Sequence, residues 1–245
     1  MFPIRDHNPS GRTPFVTYGL IAANIAIFLW YWPLFDDPRA IDLFFSTWGM
    51  VPLRLAHAEG GTTLITSMFL HGGVMHLAGN MLFLWIFGDN LEDQLGHVGF
   101  GFFYLGSGIA AALAQFAAEP ASMAPMVGAS GAIAGVMGGY LLLFPRARID
   151  VLIIIVIFFR VFTLPAWIIL GVWFALQLFS GVTQAGAGVA FWAHVGGFVA
   201  GLMLAFGPWL RRGGIKFWEN TKGLPPHAAT RYRVVRSSFP VIRRR

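Results

Sequence analysis

Ser130 stands in Met126 to Tyr140, MVGASGAIAGVMGGY, between glycines in a segment that otherwise reads as a membrane-spanning helix. A serine hydroxyl becomes a nucleophile when a base takes its proton. Gly128 and Gly131 leave no side chain beside it, so a scissile carbonyl could approach the backbone closely. A bare Gly-x-Ser-Gly is equally what tight packing of membrane helices uses. Two further polar clusters, HGGVMHLAGN at 71 to 80 and His194 within AHVGGFVAG, lie in two other apolar segments and supply the missing parts. His194 is the candidate general base, and it forms a Ser–His dyad because no carboxylate sits in the spans to orient it. His76 and Asn80, one helical turn apart, join the Ser130 backbone N–H as candidate donors to the oxyanion of a tetrahedral intermediate. His71 points away from His76 by about 140° on a helix and takes a structural or rim role. Three histidines are enough for zinc, but there is no HExxH and no acid in the spans, so neither metal nor cofactor is expected.

These residues need helices to carry them, and the composition says in what solvent. The chain of 245 residues is 56% hydrophobic and 11% charged, against about 25% charged in soluble domains, and its mean hydropathy is +0.66. It reads as an all-α integral membrane protein. Without cysteine, disulfides and thiol nucleophiles are excluded. The net charge of +6 is a property of the tail, since ten of the seventeen Lys and Arg lie in residues 211 to 245 with one acid, Glu219. No basic face with interleaved aromatics accompanies them, so membrane lipid is the expected partner of this tail and nucleic acid is not.

Six apolar runs are legible: Phe15 to Phe35, His71 to Phe87, Val98 to Ala118, Ser130 to Phe144, Pro165 to Phe179 and Ala190 to Leu210. The first exceeds a leader h-region and ends in WYWPLFDDP, so it is read as a span. Residues 1 to 14 form a polar N-terminal segment, 15 to 210 the membrane domain and 211 to 245 a basic tail. Residues 36 to 63, with LFFSTWGMVPL at their centre, read as an interfacial first loop, and GDNLEDQLGH carries the second helix out of the membrane. The apolar run LIIIVIFFRVFTL contains Arg160 and precedes Pro165, so part of it is expected at the interface. Placing both termini in the cytoplasm puts Arg5, Arg12, Arg146, Arg148 and the tail inside, leaving Arg39 and Arg54 outside. In that orientation Ser130 lies about 24 Å before Arg146, His194 about 26 Å before Arg211 and His76 about 20 Å before Asp89, so all three share one level in the outer half of a ~30 Å core. His194, Gly197 and Gly201 share one helix face, while Ser130, Ala134 and Gly138 make a small-residue row with Gly131, Gly135 and Gly139 in a second row beside it, which lets the two backbones approach.

In these motifs and their order the chain resembles the rhomboid intramembrane serine proteases, over about Arg5 to Gly201. FLWIFGDNLEDQLGH and PAWIILGVWFALQ are similar to the family as well. The resemblance implies a six-transmembrane-helix bundle with an outward-open, water-accessible cavity and single-span transmembrane proteins as substrates. It further implies Ser130 as nucleophile, His194 as base, His76 and Asn80 as oxyanion side chains, and the plasma membrane as the site of action. The fifth helix and residues 181 to 189 would be gate and cap, although Trp173 and Phe174 suit lipid-facing or packing roles. Two features depart from the family: Ala134 stands where some members stack an aromatic on the catalytic histidine, and STWGMVPLRL lacks the Trp-Arg pair of some first loops. A rhomboid-fold pseudoprotease that binds membrane helices without cutting is the alternative, and such relatives typically lack the Ser or His. A channel or transporter would want repeats and charged pathway residues, which are not seen.

Overall fold

The computed structural model describes residues 2–155, 158–183 and 189–226. Strand β1 (Phe2–Asp6) precedes helix α1 (Phe15–Tyr31), which continues through a 3-10 turn at Trp32–Asp36. Helices α2 (Pro38–Trp48), α3 (Pro52–Ala56) and α4 (Thr63–Thr66) lead to the long pair α5 (Val74–Leu95) and α6 (His97–Ala118). Helix α7 (Ser130–Leu143) is followed by strands β2 (Arg148–Ile155) and β3 (Phe158–Pro165), then by helices α8 (Ala166–Thr183), α9 (Phe191–Arg211) and α10 (Ile215–Thr221).

Local chemistry fixes several boundaries. Pro38 opens α2 with its φ preset, and Asp37 Oδ1 accepts from the N–H groups of Arg39 at 2.9 Å and Ala40 at 3.4 Å. Gly96, at φ 72, supplies the left-handed corner between α5 and α6. Helix α7 stops at Leu143, two residues before Pro145. Its fourteen residues span about 21 Å, less than a hydrocarbon core of about 30 Å. The helix is enclosed by its neighbours, with every position from Gly131 to Tyr140 buried.

That enclosure rests on glycine. A Cβ on Gly197 would overlap the Gly131 carbonyl, one on Gly201 the Gly135 carbonyl, and one on Gly138 the Phe198 carbonyl. Helices α7 and α9 therefore touch backbone to backbone, as the small-residue rows predict. On its other side α7 meets α6, where a Cβ on Gly131 would lie 2.6 Å from Ala111 Cβ.

Four helical segments are long and apolar enough to cross a membrane: Phe15–Asp36, His97–Ala118, Ala166–Thr183 and Phe191–Arg211. A fifth arises if Thr63–Phe69 and Val74–Leu95, bent by 96°, form one broken span. The chain is thus a mostly helical integral membrane protein. Through GDNLEDQL the chain stays helical, and α5 ends at Leu95. Within it Glu92 is buried and caps α1, accepting from the N–H groups of Val16 at 2.8 Å and Thr17 at 2.7 Å. A carboxylate at a helix N-terminus is favourable both as hydrogen-bond acceptor and as counter-charge to the dipole. The loop expected over residues 36 to 63 contains α2 and α3.

The all-α expectation is corrected by a three-stranded antiparallel sheet of order β1-β2-β3. The apolar run after Arg148 is rich in β-branched and aromatic residues, which favour a paired strand, and the pairing satisfies its backbone. The N-terminal segment supplies β1, with Arg5 opposite Asp150. Asp150 is buried and gathers the sheet, accepting from Arg5 Nε at 2.6 Å and Thr163 Oγ1 at 2.5 Å and meeting His7 Nε2 at 2.9 Å. Burial pushes its carboxyl up, but the hydrogen bonds from Thr163, His7 and Arg5 outweigh that and hold it below the usual carboxylate range. The tail is tied on at its start, where Arg212 Nη2 donates to the Gln94 carbonyl at 2.5 Å and Trp218 Nε1 to the Leu142 carbonyl at 2.9 Å. Its remainder past residue 226 lies outside the described residues.

Asp6, at the end of β1, meets Tyr140 of α7. Its Oδ2 accepts from the Tyr140 hydroxyl at 2.8 Å and from Asn90 Nδ2 at 3.0 Å, with His7 and Asp89 close by. Burial outweighs these donors and raises the carboxyl from 3.8 to about 7. The folded chain then holds a proton that the unfolded chain releases, so this contribution is fullest below 3.8 and is lost as pH climbs to about 7. The thermal midpoint in detergent is expected to fall across that window, and to fall less steeply in Asp6→Asn. A second expectation concerns the helix contact: Gly201→Ala should lower the midpoint by several degrees, at about 1–3 kcal/mol of overpacking. Gly19→Ala in α1, with nothing within 4 Å of its Cβ, should leave the midpoint unchanged or slightly raised.

Candidate active site

Ser130 is the first residue of α7, and its position is set from both sides of the chain. Upstream, the segment before it is clamped to the first loop: Met50 and Met126 exchange backbone hydrogen bonds at 3.0 and 2.8 Å, and Gly128 N–H donates to the Ser67 carbonyl at 2.9 Å. Gly128 takes φ 131, a conformation side chains resist. Downstream, the buried helix holds the backbone rigid. Because Ser130 opens the helix, its own N–H and those just after it have no intrahelical acceptor and point out of the N-terminus with the positive end of the dipole.

His194, on the first turn of α9, reaches Ser130 across the glycine contact. Its Nε2 is 2.9 Å from Ser130 Oγ. Its Nδ1 is 2.8 Å from Oε1 of Gln177 on α8. An amide oxygen only accepts, so Nδ1 carries the proton and Nε2 is left with its lone pair toward the serine hydroxyl. The ring is also packed by Trp173 at 5.9 Å between centroids, and the backbone N–H of the preceding Ala193 donates to Gln115 Oε1 of α6 at 3.2 Å. Ala134 is buried in α7, and Trp173 on α8 packs the histidine where an aromatic at that position is missing. Trp173 and Phe174 both pack on Phe198, with Phe174 stacked at 4.8 Å.

His76, two residues into α5, faces the same place from the opposite wall. Its Nδ1 is 3.2 Å from the Gly72 N–H, which can only donate, so Nε2 carries the proton. A Cβ on Gly128 would lie 2.9 Å from that Nε2 and 3.5 Å from Ser130 Oγ. The donor thus stands beside the serine with no side chain between them. Ser130, His194, His76, Gly128 and Gly131 line one cavity of about 320 Å³. Asn80 does not line it: it is buried one turn further along α5, and its Nδ2 has no partner among the described residues. His71 is fully buried and packs edge-on against the His76 ring at 5.1 Å, while its backbone is held by the Tyr31 hydroxyl at 2.7 and 2.8 Å. Its place is structural and not at a rim. Among the described residues no three of His, Asp and Glu gather as metal ligands. The cap expected at 181 to 189 falls, over residues 184–188, outside the described residues.

Gln177 went unnoticed as a partner of His194, although a signal for it exists. It is the one amide in the apolar run from Pro165 to Phe179, and a polar group in a span is costly unless it has a partner.

The rhomboid domain profile matches residues 58–210, well over half of the chain. The chain belongs to the rhomboid family. It is 32% identical over 198 residues to rhomboid protein 1, mitochondrial, of Saccharomyces cerevisiae, covering 77% of this chain and 51% of that protein. To RHOMBOID-like protein 4 of Arabidopsis thaliana it is 31% identical over 159 residues, 64% of this chain and 36% of the relative. The putative rhomboid protease YdcA of Bacillus subtilis is 34% identical over 125 residues, 51% of this chain and 62% of YdcA. This rhomboid spans about half the length, or less, of the first two of these relatives. The yeast relative is a mitochondrial protein by name, so the plasma-membrane expectation finds no support in it.

Gly128→Ala should force the chain out of φ 131 and press on His76. Modification of Ser130 by a fluorophosphonate should then slow at least about tenfold, less than the ~10²–10³-fold that complete loss of one preorganised donor costs. Gly79→Ala, whose Cβ meets nothing within 4 Å, should label at the wild-type rate.

Proposed function

We propose that this rhomboid is an intramembrane serine endopeptidase that cuts single-span transmembrane proteins in or near the bilayer, without a cofactor. The observation that carries the reading is the 2.9 Å contact of His194 Nε2 with Ser130 Oγ inside a cavity that also receives the His76 donor. As Oγ attacks the scissile carbonyl, its proton passes to Nε2 and the carbonyl oxygen becomes an oxyanion. The Ser130 N–H and His76 Nε2–H supply its hydrogen bonds, and Asn80, whose Nδ2 has no partner among the described residues, joins them only by turning toward the cavity from its place one turn further along α5. The imidazolium returns the proton to the leaving amine, and a water activated by the same nitrogen hydrolyses the acyl-enzyme. The substrate peptide must unwind locally first, because a helical carbonyl is already engaged in the backbone ladder.

The architecture suited to this task is a six-helix bundle of α1, α5, α6, α7, α8 and α9. In it the short α7 crosses the middle of the domain, and α2 and α3 lie in the outer interface as the first loop. The division into an N-terminal segment at 1 to 14, a membrane domain at 15 to 210 and a basic tail at 211 to 245 follows, with both termini on the cytoplasmic side. The concentration of arginine and lysine at that end supports this orientation.

Labelling by a fluorophosphonate in liposomes tests the reading, with Ser130→Ala and His194→Ala as controls. Wild-type protein is expected to label, and either substitution to reduce the rate by at least about 10³-fold, as in serine hydrolases that lose one member of the unit. Folded wild type that fails to label, under conditions that label another rhomboid, would exclude the protease and leave the binding of membrane helices as the function.

A further inference from the structure

The base in this site is held by an element that the dyad alone does not include. His194 has its two ring nitrogens committed to two helices: Nε2 to Ser130 on α7 and Nδ1 to Gln177 on α8, at 2.9 and 2.8 Å. A neutral imidazole has two tautomers, and only the one with the proton on Nδ1 can accept from a serine hydroxyl at Nε2. Left without a partner at Nδ1, the ring could place its proton on Nε2, or turn about χ2, and in both states it cannot act as base.

We infer that Gln177 is the positioning residue that fixes the Nδ1–H tautomer and the ring orientation of His194. The inference rests on the protease reading only for its kinetic consequence. Three observations support it. The Oε1 to Nδ1 distance is that of a direct hydrogen bond. Gln177 is half-buried, so water does not replace it freely. Trp173, one turn earlier on α8, packs on the same ring at 5.9 Å, so this helix supplies both a polar and an apolar restraint. With its oxygen and not its nitrogen facing the ring, an amide fixes tautomer and orientation as the carboxylate of a Ser-His-Asp triad does, without placing a charge among apolar helices.

The experiment compares wild type, Gln177→Leu and Gln177→Glu in proteoliposomes with a fluorogenic transmembrane peptide, and reads the nitrogen shifts of His194 in protein labelled with ¹⁵N-histidine. Gln177→Leu keeps the apolar character of α8, and its thermal midpoint is measured alongside. The expected result is a kcat about 10–100-fold lower in Gln177→Leu, the size of loss seen when the hydrogen-bond partner that orients a metal-bound histidine is removed. KM should stay within about twofold, because the loss falls on the transition state and not on substrate binding. Glu, which as a carboxylate can only accept, should restore most of the rate, whereas a contact made through the amide nitrogen would not survive that change. The wild-type spectrum should show a protonated Nδ1 and an unprotonated Nε2, and Gln177→Leu a mixture. Equal kcat in wild type and Gln177→Leu, or the same tautomer in both, would overturn the assignment. If wild type turns over no substrate, the protease reading fails by itself, and the nitrogen shifts still decide what Gln177 does.

Discussion

The backbone contact between α7 and α9 is the constraint on which the site depends. A serine at the start of one helix and a histidine at the start of another meet at hydrogen-bond distance only if the helix axes come closer than ordinary side chains allow. Gly131, Gly135 and Gly138 on one side and Gly197 and Gly201 on the other provide that closeness, and in three of these pairings the space for a Cβ is already taken by a carbonyl. Within a bilayer, helices gain little from burying apolar groups against each other, so the close van der Waals fit also supplies much of the association. The same residues thus serve stability and catalytic distance.

A second set of forces works on the chain before the helix. The N–H of Gly128 is spent on the Ser67 carbonyl, and Met126 is spent on Met50. Beside these committed groups stand the head of α7 and His76 Nε2, whose tautomer is set by the Gly72 N–H. Each histidine near the serine is therefore read by a partner that can play one role only: an N–H that must donate to His76 and a carbonyl oxygen that must accept from His194. One ring becomes a donor and the other an acceptor, with no ionised group beside either.

Much of this was legible in the sequence, because polar residues in apolar segments are rare and their depth follows from residue counts. Ser130, His194 and His76 converge where their positions along three helices place them, and the glycine rows mark the contact that joins them. Asn80 shares a helix face with His76, yet it sits one turn deeper and its side chain is not at the cavity wall. The sheet was hidden because LIIIVIFFRVFTL is apolar apart from Arg160 and Thr163: a run of that kind suits strand, interface and helix alike, and β1 pairs with it from nearly 150 residues away in the chain. Glu92 was hidden for a related reason. An acid after an apolar run reads as an exit from the membrane, and only the fold reveals that the N-terminus of α1 lies beside it.

The components of the site also differ in how firmly they are held. Ser130 begins a helix that is buried on all sides, clamped by glycine contacts and anchored at its far end through Tyr140 to β1. The restraint on His194 comes from α8, which leaves Trp167, Val172, Leu176 and Phe179 exposed along its outer face and packs inward chiefly on α9. Fewer buried contacts mean a lower cost of local displacement. A movement of α8 away from α9 would take Gln177 and Trp173 from His194 together while leaving Ser130, His76 and the glycine contact in place. Among the described residues, the hydrogen bond to Nδ1 of His194 thus comes from the helix with fewer buried side chains, and the contact with Ser130 from the enclosed one.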